Sequence, residues 1–118
     1  MVLASANTKL LTITSINMCG IFGFIAANGA VCDVATFRKS LALLFKLSEP
    51  RGREASGLAI ATKKEAKVFK RGITPSRMLN RGDYKKFIDL CLSQLNFSTD
   101  GQLLEPVMVF GHCRLVTN

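Results

Sequence analysis

The stretch Met18-Cys19-Gly20-Ile21-Phe22-Gly23-Phe24-Ile25 puts a thiol directly after a methionine and directly before an apolar run with two glycines. If translation began at Met18, removal of that methionine would leave Cys19 as the N-terminal residue. A free α-amino group has a pKa of about 7.7–8.0 and a thiol one of about 8.5, so the amine can take the thiol proton near neutral pH. Nucleophile and base then come from one residue, as in N-terminal Thr catalysts with sulfur in place of oxygen. The plainer alternative is a buried structural Cys opening a first strand.

Two further stretches carry residues with chemical potential. Arg51-Gly52-Arg53-Glu54-Ala55-Ser56-Gly57 is a two-glycine loop. It lacks the Gly-Lys-Ser/Thr of a phosphate cradle, so by itself it is a turn. Gly111-His112-Cys113-Arg114-Leu115-Val116-Thr117 continues an apolar run. A lone His there is ordinarily structural. The Arg cannot shed its charge and so calls for an anionic partner. Its fork suits a carboxylate, which it grips through two hydrogen bonds.

These stretches must be held by regular elements. Cys19 to Ala26 has the composition of a buried strand, closed by the Asn28-Gly29 turn. Asp33 is placed to cap a helix reaching about Ser48, with Val34, Phe37, Leu41, Leu44 and Ser48 at helical spacing. Pro50 and Gly52 stop it. Gly57–Thr62 and Ala66–Lys70 are predicted to form a hairpin across Lys63-Lys64-Glu65. Thr74-Pro75 starts a helix. Asp83 is predicted to cap another, whose apolar face is Tyr84, Phe87, Ile88, Cys91, Leu92 and Leu95. Pro106 precedes the strand Val107–Phe110.

Composition narrows the class. At 118 residues and 48% hydrophobic, the chain is globular and at most one domain. No run approaches the ~20 apolar residues of a membrane span. Cys19, Cys32, Cys91 and Cys113 lie far apart with one His in the chain, so no metal site is expected and no disulfide framework. Reduced thiols fit a cytoplasmic protein. The net charge of +8 is spread along the chain without interleaved aromatics, which argues for a solvated surface over nucleic-acid binding. Residues 1–17 make a poor secretory signal, being short of cationic residues and interrupted by Thr12, Thr14 and Ser15. They are expected to be a propeptide or the product of a start assigned too early.

Taken in order, the three stretches resemble class II glutamine amidotransferases, with domain bounds 18–118. Cys-Gly-Ile-Phe-Gly resembles the opening of their N-terminal-nucleophile glutaminase domain. The Arg-Gly loop after the first helix is similar to their Arg-Gly-x-Asp-x-x-Gly, with Glu54 in place of Asp. Gly-His-x-Arg-x-x-Thr corresponds to their glutamine site. The resemblance implies an α+β fold, the αββα sandwich of N-terminal-nucleophile hydrolases. It implies Cys19 as nucleophile, Arg114, Leu115 and Thr117 as glutamine-binding residues, and Arg51, Gly52 and His112 as supports. The implied reaction releases ammonia from glutamine through a thioester, without metal or cofactor, for an ammonia-accepting synthase domain or subunit. Leu115 replaces the aromatic residue usual in aminotransferase-type members and is similar to asparagine synthetases, which leaves the acceptor open. The family's oxyanion Asn-Gly and amino-group acid lie further on than Asn118, so the sequence is expected to be an N-terminal fragment with an incomplete sandwich. The alternative is an inactive or regulatory module of the same fold.

Overall fold

A computed structural model describes residues 2–6, 9–13, 20–31 and 33–115. Cys19, Cys32 and Thr117 lie outside the described residues. The elements in chain order are β1 (Val2–Ala6), β2 (Lys9–Ile13), β3 (Gly20–Ala26), α1 (Val34–Ser48), β4 (Ala55–Ala61), β5 (Ala66–Arg71), α2 (Pro75–Leu79), α3 (Gly82–Ser93) and β6 (Val107–Arg114). Strands β1 and β2 pair antiparallel with Val2 opposite Ile13. The remaining four form one antiparallel sheet in the order β3-β6-β4-β5. The fold is thus α+β.

Period-two alternation decides what each strand buries. In β3, Phe22, Phe24 and Ala26 point into the core, while Ile21 and Ile25 are exposed. In β6, Val107, Val109 and Cys113 point inward, leaving Met108, Phe110 and Arg114 exposed. The inward face packs on α1, whose Phe37, Leu41, Leu44, Phe45 and Ser48 repeat at helical spacing. Phe22 meets Phe45 edge to face at 4.8 Å, and Phe24 meets Phe37 likewise at 5.5 Å. Gly111 stands opposite Phe22 across β3 and β6. A Cβ on Gly111 would overlap the Phe22 ring. The glycine therefore makes room for a core aromatic.

The caps follow the sequence in two of three helices. The Asp33 side chain accepts from the Thr36 N–H at 2.7 Å, and Thr74 caps α2 from its hydroxyl. Helix α3 departs: its cap is Arg81 and it starts at Gly82, so Asp83 sits inside the first turn. Arg81 and Arg71 both hydrogen-bond the Asp83 carboxylate, holding it well below the usual carboxylate range, Arg81 contributing most. A negative charge in that turn still favours the helix dipole. Pro50 does not end α1 abruptly either, since Glu49–Arg51 continues as a 3-10 turn. The predicted strand Val107–Phe110 extends through Arg114. The strands β1 and β2 were not expected in residues 1–17, although Leu10-Leu11-Thr12-Ile13 has strand-forming composition.

Three helices lie against one face of the sheet. The other face carries exposed Ile21, Ile25, Val68, Met108 and Phe110, with Gly23, Gly57 and Ala59 between them.

Candidate functional site

The sequence stretches singled out for chemistry meet at one end of the sheet. Gly20, the residue after Cys19, opens β3 opposite Cys113. A Cβ on Gly20 would lie 2.6 Å from the Ser48 carbonyl oxygen, so β3 starts tight against the end of α1. Gly52 packs against the end of β6. A Cβ there would meet the Cys113 carbonyl and the Arg114 backbone. The Glu54 N–H donates to the Arg114 carbonyl oxygen at 3.1 Å. Glycines at 20 and 52 are what let three segments, distant in sequence, close to backbone contact.

Arg51 ends the 3-10 turn and is exposed, while Gly52 is buried. Glu49, at the start of that turn, accepts from the Ser76 N–H and hydroxyl, each at 2.9 Å. These bonds, the backbone one first, lower the Glu49 pKa. The Ser56 hydroxyl donates to the Ile73 carbonyl at 2.8 Å and is buried. Together they pin the Arg51–Ala55 loop between α2 and β4.

His112 and Arg114 project from β6 toward the open face. The His112 ring leans across Gly57, its Nε2 lying 2.7 Å from the place a Cβ of Gly57 would take. Burial lowers the His112 pKa below its usual 6.5, and the charges of Lys70 and Arg114 lower it further. Arg114 is exposed, and no carboxylate among the described residues pairs with it. Leu115 is half-exposed just past the strand. Cys113 points the other way, into the core. Burial first, then the Glu49 charge, pushes its thiol up to about 12. Cys91 is likewise buried, with its pKa raised by burial. Neither thiol is poised to ionise.

Of the predicted site residues, Arg51, Gly52, His112, Arg114 and Leu115 gather at this end of the sheet. Cys19 and Thr117 lie outside the described residues, each next to or close behind a residue placed there. Sequence reasoning had Gly57 only as the last glycine of the Arg51–Gly57 stretch, and it missed Lys70. Their signal is a strand pairing that puts Lys70 opposite Gly57 and Gly57 opposite His112, which no local pattern shows. Among the described residues no group of three His, Cys, Asp or Glu side chains forms a metal site. Among the described residues no helix is long and apolar enough to cross a membrane. No protein-family model matches the chain, and no curated protein and no solved structure matches it.

Proposed function

We propose that this chain carries the nucleophile and carboxylate-binding half of a glutaminase domain of the class II amidotransferase type. The observation that carries the reading is the meeting of the three sequence stretches around the start of β3 and the end of β6. In this reading the residue before Gly20 is the mature N-terminus. Its α-amine takes the Cys19 thiol proton, and the thiolate attacks the side-chain amide carbon of glutamine. The carbon–nitrogen bond breaks, the amine returns its proton to the departing ammonia, and a thioester remains. Water then attacks the thioester, releasing glutamate and restoring the thiol. Arg114 holds the substrate's α-carboxylate in a two-pronged grip, with Leu115 and Thr117 beside it. Arg51, Gly52 and His112 hold the loop and strand in place. Ammonia passes to a synthase domain or subunit.

The reading also gives the open sheet face its use. A sheet apolar on both faces belongs between two layers, and a second sheet packed at about 10 Å would complete an αββα sandwich over Ile21, Met108 and Phe110.

The test is glutamate release by a protein whose N-terminus is Cys19 and whose second layer is present. Arg114→Lys exchanges a fork for a point charge. Loss of a charge-assisted bond costs about 1.5–3 kcal/mol, so KM for glutamine is expected to rise roughly ten- to a hundredfold. An unchanged KM would make Arg114 structural.

A further inference from the structure

One row of residues crosses the whole sheet on its open side. It runs Ile21 on β3, His112 on β6, Gly57 on β4 and Lys70 on β5. Gly57 brings no side chain to this row, and the His112 ring takes the vacant space above it. The ring thus leans from β6 toward β5, where Lys70 stands. Arg114, two residues beyond His112, rises from the same face. All three line a cleft of about 530 Å³, and Phe110 and Val68, from the same strands and the same face, line it too. The same three line a smaller recess of about 300 Å³ toward Ser56 and Gly72.

Among the described residues, neither Lys70 nor Arg114 has a carboxylate within salt-bridge distance. The neighbouring Arg71 differs, because Asp83 neutralises it at 3.0 Å and its guanidinium lies over the Phe69 ring. Two like charges facing one cleft repel each other, and an anion between them removes that cost.

We propose that Lys70 is a second cation of the carboxylate site, so that an amino-acid carboxylate held by Arg114 lies between the two charges with the His112 ring between them. This rests on the carboxylate role given to Arg114 above and adds a residue from a strand that none of the three sequence stretches contains. Lys70 acts as a positioning group. It draws the anion to the β5 side of the cleft and forces a substrate ammonium to point away from it.

The experiment uses the full 118-residue chain and propionate, a carboxylate with no amide to react. His112 is the only histidine, so its ring resonances report the corner without ambiguity. Propionate is expected to shift them saturably at low ionic strength. Lys70→Met should weaken that binding about two- to fivefold, and Lys70→Arg should keep it close to the parent, as expected for an exposed charge contact. Added salt should shrink the difference between Lys70→Met and the parent. Unchanged affinity in Lys70→Met, with Arg114→Met weakening it, overturns the role of Lys70 and leaves that of Arg114 standing. Unchanged affinity in Arg114→Met overturns both, because the anion would then not lie between the charges. A folded protein whose His112 signals ignore propionate also overturns both.

Discussion

His112 shows how a single residue is tuned by its neighbours. Its ring is half-buried above Gly57, with Lys70 on one side and Arg114 on the other, and all three influences favour the neutral form. The folded pKa lies below the unfolded one, so the unfolded chain binds more protons as pH falls through the usual value of 6.5. Stability therefore declines on acidification through that window and is regained as pH rises. A proton-resonance titration should give a midpoint below 6.5, moving upward in Lys70→Met. A midpoint above 6.5 would place a carboxylate near the ring instead. Gly57→Ala sets a methyl against Nε2 and should displace the ring, changing its shift without unfolding the sheet. Legibility is uneven at this scale. Arg114 announces itself, because an arginine in an apolar strand needs a reason. Lys70 gave no sign and Gly57 showed only as the last glycine of a stretch, because their relation to His112 exists only across two strand pairings.

Among the elements, β6 does most to join core and site, since its alternate residues serve both faces. Phe22 and Gly111 form the joint where β3 meets it. Gly111→Ala would drive a methyl into the Phe22 ring, an overpacking that costs about 1–3 kcal/mol or more. Phe22→Ala leaves a hole costing about 3–5 kcal/mol. Because the two residues touch, the double variant should be less destabilised than the sum of the singles, which denaturant unfolding of all three would show. Additive losses would mean the ring and the glycine are not in contact. Helix α1 and the β4–β5 hairpin were legible from spacing, caps and turn residues alone. The start of α3 was not. Asp83 has the type of a cap, but Arg81 and Arg71 both bond its carboxylate, and the cap and helix start fall two residues earlier. The continuation past Pro50 was hidden for a similar reason, since a proline is compatible with the first turn of a 3-10 segment.

For the whole molecule, the decisive feature is a sheet with helices on one side and apolar side chains on the other. The inner face was readable from the period-two strands, and so was the outer, because β3 is apolar at every position but its glycines. What local patterns do not give is the sheet order, in which β6 enters between β3 and β4 and brings the last predicted motif to the first. Exposed apolar patches of this kind bind hydrophobic dyes and associate. Phe110→Lys with Val68→Lys should cut dye fluorescence and concentration-dependent association. Unfolding free energy should change by only about half a kcal/mol, since both side chains are exposed. Persistent dye binding would place the apolar surface elsewhere.

The central claim is that Cys19, freed as an N-terminal residue, is the nucleophile for glutamine. Its most direct test is covalent labelling with a diazoketone analogue of glutamine, followed by peptide mapping of all four cysteines. A protein that begins at Cys19 and includes the second layer should carry one label, on Cys19. The same protein retaining residues 1–18 should carry none, because its α-amine is tied up in an amide and cannot serve as base. Cys91 and Cys113 should stay unlabelled, their buried thiols being held protonated. Equal labelling with and without residues 1–18, or labelling that survives Cys19→Ala, would contradict the account and move the chemistry to another residue.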